Sequence, residues 1–222
     1  MAHIVILPGW MQTSADWKSV QEKLGSHTVD IIDLPGFGIQ PIIDSAWGVP
    51  EYADYVASHI ALHNWNDLIL IGHSFGGRVA SYLAAQNPLW LKALVLYGAP
   101  CLYRPTLKVR IISRLAKIAK KFGISKKLSP NKELLAADEI GLGTTYRKTI
   151  PFDQTDLVKN IRVPTLLLWG SEDTEAPTYI ADELQQLIPR NHLQFLAHQG
   201  HNIHLTNPSL FYGIITQYIK NL

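Results

Sequence analysis

Three side chains of the types used in nucleophilic catalysis occur along the chain in the order Ser74, Asp173 and His201. Residues 72–77 read Gly-His-Ser-Phe-Gly-Gly, between an aliphatic run and a helical pattern. A G-x-S-x-G turn in that context holds the serine hydroxyl clear of the backbone. The hydroxyl becomes nucleophilic when a neighbouring base takes its proton, and the base needs an acid that fixes its tautomer. Ser74 is therefore the expected nucleophile; the structural alternative is a serine N-cap in a glycine-rich turn.

The acid that orients the histidine is expected directly after a strand in the second half of the chain. When the nucleophilic serine lies on a G-x-S-x-G turn, this acid comes before the histidine in the sequence. Asp173 follows the aliphatic run 165–169 and is our first choice. Glu172 and Glu175 are the alternatives. For all three, the competing interpretation is a solvated carboxylate in a turn.

The base is expected among three histidines that follow the last predicted strand. His201 comes after a glycine in a loop, from which its side chain can reach the sheet edge, and is preferred over His198 and His204. A metal site would need a carboxylate ligand at fixed spacing, and no H-E-x-x-H motif is present. We therefore expect neither a metal ion nor a cofactor.

Attack by the serine creates a negatively charged oxygen, the oxyanion, and two backbone N–H groups are expected to bind it. One belongs to Phe75, the residue after the nucleophile, and the other to the loop after the first strand. Trp10 is best placed in that loop, with Met11 as the alternative. Each such donor is typically worth about 10² to 10³ in rate.

An apolar substrate pocket is expected from aromatic and aliphatic side chains, although the same residues are equally explained by packing. Trp10 and Phe75 would form its walls. The further candidates are Trp47, Tyr97, Tyr103, Ile111, Leu115 and Trp169.

The elements that must position these residues alternate between strand and helix patterns. The predicted strands are 3–7, 28–33, 68–71, 93–97, 164–169 and 192–196, and the predicted helices are 14–24, 50–63, 78–86, 177–188 and 208–219. Such alternation is typical of a parallel sheet covered on both faces. The alternation breaks at 98–163, which we interpret as a helical lid inserted over the carboxyl edge of the sheet.

Composition favours one domain over residues 1–222. The chain is 47% hydrophobic, and its length is sufficient for a single core. Cys101 is the only cysteine, which excludes an internal disulfide. We find no export signal and no apolar run near the 18 residues of a membrane span, so we expect a soluble, cytoplasmic protein.

The charge is distributed unevenly although the net charge is only +2. Residues 101–132 contain ten basic and no acidic side chains, while the rest of the chain has ten basic and eighteen acidic ones. Within this segment, 107–122 has the pattern of a basic amphipathic helix. Its basic face either keeps the lid soluble, docks an acidic carrier protein, or contacts anionic lipid. No nucleic-acid-binding motif accompanies the charge.

In combination, these motifs resemble the α/β-hydrolase superfamily. The residues that carry the resemblance are Pro-Gly-Trp at 8–10, Asp-Leu-Pro-Gly-Phe-Gly at 33–38, the 72–77 motif, Gly-Ser-Glu-Asp at 170–173 and Gly-His at 200–201. The chain is most similar to the branch of small serine esterases, carbon–carbon bond hydrolases and acyl-carrier methyl esterases.

The resemblance implies an α/β-hydrolase fold of about six mostly parallel strands, without the two N-terminal antiparallel strands, and with a short lid. From the residues themselves we expect cleavage of small-molecule carboxylic esters through an acyl-enzyme, and the candidate aromatic pocket suggests short or medium acyl or aromatic groups. A thioester or a carbon–carbon bond next to a ketone would use the same residues. The alternatives are an acyl-carrier-protein methyl esterase or thioesterase that docks through the basic lid, and a non-catalytic ligand or partner binder.

Overall fold

A computed structural model describes residues 1–38, 40–41, 46–105 and 132–222. In this part of the chain, six strands form one sheet in the order β2-β1-β3-β4-β5-β6, and all five pairings are parallel. The strands are β1 (His3–Leu7), β2 (Thr28–Ile31), β3 (Leu68–His73), β4 (Leu91–Tyr97), β5 (Thr165–Gly170) and β6 (Asn191–Leu196). The predicted α/β class and the number of strands are confirmed.

The five predicted helices are present, and the described residues contain further short helices that the sequence pattern did not predict. A 3₁₀ helix (Ser14–Trp17) leads into α1 (Lys18–Lys23), and a second 3₁₀ helix covers Val158–Asn160. The other helices are α2 (Val49–Leu62), α3 (Ser74–Ala85), α4 (Lys132–Glu139), α5 (Gly143–Thr149), α6 (Thr178–Leu187), α7 (Ile203–Thr206) and α8 (Pro208–Lys220).

The central strands are buried because both sheet faces are covered. One face packs against α2, α3 and α6 through side chains such as Tyr52, Val79 and Leu184. The other face packs against α1 and α8 through Val20 and Phe211. Strands buried on both faces need near-continuous aliphatic sequence, as β3 has. The carboxyl edge of the sheet is thereby held rigidly for the loops that follow each strand.

The start of α3 differs from the sequence prediction. The sequence pattern placed the helix from 78, after a glycine-rich turn, whereas β3 passes directly into α3 at Ser74. A single residue makes the turn, because Ser74 itself adopts the left-handed conformation, with φ of 49°. The nucleophile candidate is therefore the first residue of the helix.

The predicted lid is only partly covered by the described residues. Between β4 and β5 these residues include α4 and α5. The predicted basic helix 107–122, with Ile111 and Leu115, lies outside them. The lid over 98–163 therefore stays a prediction. Among the helices in the described ranges, none has both the length and the apolar character needed to cross a bilayer.

Candidate active site

Ser74 lies where the most buried part of the sheet meets a helix. The preceding strand β3 is fully buried, and Ser74 is half-buried at its carboxyl end. A non-glycine residue with positive φ is strained, at a cost of about 1 to 3 kcal/mol, and such residues cluster at functional sites. The strain is tolerated because β3 and α3 fix the backbone on both sides of the turn.

Asp173 and His201 form a buried pair at the ends of β5 and β6. His201 Nδ1 lies 2.7 Å from Asp173 Oδ2, and each residue is 7% exposed. The other carboxylate oxygen, Asp173 Oδ1, accepts the backbone N–H groups of Glu175 (2.9 Å) and Ala176 (2.8 Å). These bonds aim Oδ2 at the imidazole. His201 Nδ1–H can then donate to the carboxylate, which leaves Nε2 free to accept a proton.

A glycine at the end of β4 makes room for this pair. Gly98 has φ of +52°, and a Cβ at this position would lie 3.1 Å from His201 Nδ1 and 3.2 Å from Asp173 Oδ2. A larger residue would be strained at this φ, and its Cβ would crowd both the imidazole and the carboxylate. The glycine that follows β4 therefore leaves room for the pair.

Ser74 and His201 line the same cavity, which has a volume of about 320 Å³. In the part of the chain that the structure describes, Ser74 Oγ forms no hydrogen bond with a protein group. Such a bond is often long in ligand-free enzymes and tightens when substrate binds. The full lining comprises Gly9, Trp10, Gln12, His73, Ser74, Phe75, Arg78, Pro100, Tyr146, Ile150, Glu175, His201 and Asn202.

Trp10 and Phe75, the predicted oxyanion donors, are neighbours in this cavity. Their rings contact edge to face, with centroids 5.3 Å apart. Gln12 N–H donates to Gly9 O (3.1 Å) and closes a turn that includes Trp10. The Phe75 N–H is in the first turn of α3, where backbone donors have no intrahelical acceptor. Their role as oxyanion donors stays a prediction.

The backbone of the histidine loop is held from below by two buried side chains. Tyr97 O–H donates to His201 O (2.7 Å), and His73 Nε2–H donates to the same carbonyl (3.1 Å). Gln12 adds a contact to the same loop, since its Nε2 donates to Asn202 Oδ1 (3.0 Å). Residues from β3, β4 and the first loop thus fix the position of His201.

Two histidines in this network are held neutral by burial. Burial, and secondly the proximity of His201, lowers the pKa of His204 to about 3. Burial, together with His204 and His201, lowers the pKa of His73 well below its usual value. His204 stacks on Trp17, with ring centroids 4.0 Å apart. At neutral pH both rings therefore serve as uncharged packing and hydrogen-bonding groups beneath His201.

The alternative acids and bases occupy other positions. His198 Nδ1 lies 3.2 Å from Glu172 Oε1, and both side chains are largely exposed. His204 is in α7, beneath the loop. Glu175 lines the cavity, with Oε2 3.7 Å from His201 Nε2, on the opposite side of the imidazole from Asp173. The geometry therefore favours Asp173 over Glu175 as the orienting acid.

The predicted pocket aromatics lie elsewhere. Tyr97 and Trp169 are fully buried, and the Trp169 indole N–H donates to Ala176 O (2.9 Å). Trp47 packs against Tyr52, with ring centroids 5.3 Å apart. The backbone N–H of Tyr103 donates to Asp153 Oδ1 (3.1 Å). Among the described residues that line the cavity, none of these four occurs; Tyr97 and Trp169, the two that belong to strands, point into the core instead.

Several cavity residues were missed by sequence reasoning. Gln12, Tyr146 and Ile150 gave no motif signal, because their neighbours in space are distant in sequence. Arg78 did give a signal, because it is the single charged residue in the helix 74–85 and lies four positions after Ser74. Because Arg78 shares a helix face with the nucleophile, the sequence could have predicted that it lines the site.

Comparisons with known proteins bear on the family of this chain. The family model described as "Alpha/beta hydrolase family" matches residues 4–213. A pimeloyl-[acyl-carrier protein] methyl ester esterase from Salmonella paratyphi A is 27% identical, over 94% of this chain and 90% of the relative.

Two solved structures share the fold. A bromoperoxidase from Bacillus anthracis superposes with a TM-score of 0.79 at 15% identity, covering 99% of this chain and 92% of the other. An esterase from Exiguobacterium antarcticum gives a TM-score of 0.77 at 19% identity, with the same coverage of both chains. At these identities the superpositions support the fold alone.

Proposed function

Because the chain belongs to the alpha/beta hydrolase family, we propose that it is a serine hydrolase that cleaves carboxylic esters through an acyl-enzyme. One observation carries the proposal: the buried His201–Asp173 pair and the strained Ser74 turn meet at one cavity. A nucleophile, a base and an orienting acid in this arrangement perform acyl transfer on many folds.

In the first step, Ser74 Oγ attacks the ester carbonyl carbon while His201 Nε2 takes the hydroxyl proton. Asp173 stabilises the imidazolium and keeps its Nδ1–H directed at the carboxylate. The Trp10 and Phe75 N–H groups bind the negative oxygen of the tetrahedral intermediate. The imidazolium then gives its proton to the departing alkoxide, and the acyl group stays on Ser74.

In the second step, water enters the site of the departed alcohol. His201 Nε2 takes a proton from the water, which attacks the acyl carbon, and Ser74 leaves with that proton. Tyr97 and His73 hold the His201 carbonyl, so the imidazole is kept in one place through both steps. No step requires a cofactor.

The cavity favours a small substrate. Its volume of about 320 Å³ is at the lower end of the range for ligand sites, and Trp10, Phe75, Tyr146 and Ile150 supply apolar wall. Esters with short or medium acyl chains, or with one aromatic ring, therefore match it.

A cytoplasmic location of the protein stays a prediction from the sequence.

Hydrolysis of p-nitrophenyl esters of increasing acyl length tests the proposal. We expect the highest kcat/KM for short chains, and a loss of at least about 10⁴-fold in Ser74→Ala. Ser19→Ala, at an exposed position on α1, is the matched control and should retain wild-type rates. Equal background rates in wild type and Ser74→Ala would instead support the non-catalytic binder.

A second candidate substrate is an ester attached to an acyl carrier protein. The Salmonella relative's name states such a substrate, and residues 101–132 of this chain carry ten basic side chains without an acidic one. Acyl carrier proteins are acidic partners, so a basic surface would speed their encounter.

Neutralising the basic segment tests this second candidate. Glutamine at Arg110, Arg114, Lys117 and Lys121 should leave the turnover of small esters near normal and lower kcat/KM for a methyl ester carried by acyl carrier protein. The effect should shrink as salt is added. Unchanged activity on both substrates would remove the docking proposal.

A further inference from the structure

Arg78 is a buried cation in the wall of the catalytic cavity. It follows Ser74 by four residues on α3, so the two side chains share a helix face about one turn apart. Only 4% of Arg78 is exposed, and it lines the same cavity as Ser74 and His201. A charge in this position faces any group that a substrate extends beyond its ester.

Within the part of the chain that the structure describes, the hydrogen bonds of Arg78 use only one of its three nitrogens. Nη1 donates to Thr149 O (2.7 Å) and Phe152 O (3.3 Å), both uncharged backbone carbonyls. Nε is buried and has no hydrogen-bond partner. A guanidinium carries five N–H donors in a planar fork, so the Nε and Nη2 edge is left unused.

No carboxylate of the described residues forms an ion pair with Arg78. Two other arginines behave differently: Arg104 pairs with Glu183 (2.8 Å) and Arg147 pairs with Asp138 (2.7 Å). Asp153 acts on Arg78 only at longer range and itself pairs with Arg104 (3.4 Å). The most buried of these guanidinium groups is thus the unpaired one, although an unpaired buried charge costs several kcal/mol.

The wall of the cavity contains one acidic and one basic side chain among the described residues. Glu175 lies beside His201 Nε2 and is half-exposed at one side, while Arg78 supplies positive charge one turn along α3 from Ser74. An anionic substrate group would be repelled by Glu175 and attracted by Arg78. The planar edge that Arg78 leaves free matches a carboxylate, which can accept two parallel N–H bonds.

From these observations we infer that Arg78 forms a carboxylate subsite, so that the preferred substrates are monoesters of short dicarboxylic acids. This inference rests on the proposed esterase function and specifies its substrate class. The free carboxylate binds Arg78, and this contact places the ester carbonyl at Ser74.

A pair of isosteric esters tests the subsite. Monomethyl glutarate carries the carboxylate, and methyl 4-carbamoylbutanoate replaces it with a neutral amide of the same shape. We expect the wild type to prefer the acid by about 10- to 100-fold in kcat/KM, since a hydrogen bond to a charged group is worth about 1.5 to 3 kcal/mol. Arg78→Met should abolish this preference, mainly by raising KM for the acid.

A matched variant separates the subsite from a structural role. Arg104→Met removes a cation that anchors the neighbouring segment 153–155 outside the cavity, and it should keep the preference for the acid. If Arg78 only braces Thr149 and Phe152, Arg78→Met would lower the melting temperature and slow both esters equally. That result would overturn the inference, as would the absence of any preference in the wild type.

A binding measurement keeps the inference testable if neither ester is hydrolysed. Glutarate should bind to Ser74→Ala protein in calorimetry and should bind at least about tenfold more weakly to Ser74→Ala/Arg78→Met. Such binding without hydrolysis by the wild type would reject the esterase proposal and retain the subsite. Equal binding to both proteins, or none to either, would reject the subsite alone.

Discussion

The nucleophile turn and the histidine loop reach the same cavity by different physical means. The turn at Ser74 is fixed by backbone packing: α3 presses so closely on the end of β1 that a Cβ on Gly76 would lie 2.2 Å from Leu7 O. The loop at His201 is fixed by buried side chains, since Tyr97 and His73 donate to its carbonyl. A substitution at a tightly packed glycine disrupts the backbone packing as a whole. A substitution in the hydrogen-bond network removes a single contact.

The largest effect is expected from adding a methyl group at the turn. Gly76→Ala would place Cβ against two backbone carbonyls, Leu7 O at 2.2 Å and Pro8 O at 2.5 Å, which cannot move aside as a side chain could. We expect a loss of about 3 kcal/mol or more of folding free energy. Urea unfolding followed by circular dichroism measures it.

Gly213→Ala is the matched control for that substitution. Gly213 lies in α8, and a Cβ there would meet no atom within 4 Å. Alanine should stabilise the helix by about 0.5 to 1 kcal/mol. If Gly76→Ala were as well tolerated as Gly213→Ala, the turn would not be fixed by backbone packing.

The next largest effect is expected from a substitution of Asp173, the proposed orienting acid. Asp173→Asn retains Oδ1 as acceptor for Glu175 N–H and Ala176 N–H, so the turn should survive. The amide can no longer select the productive tautomer of His201, and we expect kcat to fall by about 10³ to 10⁴ with the melting temperature nearly unchanged. A loss of less than tenfold would indicate that another carboxylate, such as Glu175, orients the imidazole.

A smaller effect is expected from loosening the histidine loop. Tyr97→Phe removes the O–H that donates to His201 O and that accepts the Ile203 N–H, which leaves a buried donor unpaired. We expect a loss of about 1 to 3 kcal/mol in stability and about tenfold in kcat, with little change in KM.

Tyr218→Phe is the control for the loop, because its O–H donates to Leu94 O (3.3 Å) away from the cavity. It should reduce stability without changing kcat. If both variants lower stability and neither lowers kcat, the hydrogen bonds of Tyr97 stabilise the fold but do not position the His201 imidazole.

At neutral pH the smallest effect is expected at His204, and this effect grows as the pH falls. Its folded pKa of about 3 lies below the unfolded value of about 6.5, so the unfolded chain binds more protons between these values. Stability should therefore decrease as pH falls through this window. His204→Phe keeps the stacking on Trp17 and should reduce the slope of unfolding free energy by about 1 kcal/mol per pH unit between pH 6 and 4.

Urea titrations of both proteins at pH 7, 6, 5 and 4 measure this slope. Near pH 7 the two proteins should differ little, because the imidazole is neutral in both the folded chain and most of the unfolded chains. An unchanged slope would mean that His204 takes up a proton in the folded protein as readily as in the unfolded chain.

The two regions also differ in how much of them can be predicted from sequence. The Ser74 turn is encoded within six consecutive residues, and the strand and helix beside it have clear periodicity. The Asp173 and His201 positions follow from strand order. The network beneath His201 could not be predicted, because Gln12 and Asn202 are 190 residues apart and meet only in the folded sheet.

Pocket residues were predictable only in part. Aromatic residues near strand ends were natural candidates, yet Tyr97 and Trp169 point into the core. Side chains alternate along a strand, so a shift of one residue decides between core and cavity. Arg78, in contrast, carried a sequence signal, since a lone charge on a helix of small and apolar residues requires either a partner or a ligand.

Covalent labelling by a fluorophosphonate tests most directly whether Ser74 is activated by the His201–Asp173 pair. Mass spectrometry of digested protein should find the phosphonyl group on the peptide that contains Ser74, and His201→Gln should be labelled at least about 100-fold more slowly. Labelling at another residue, no labelling, or equal rates in the two proteins would contradict the proposed catalytic site.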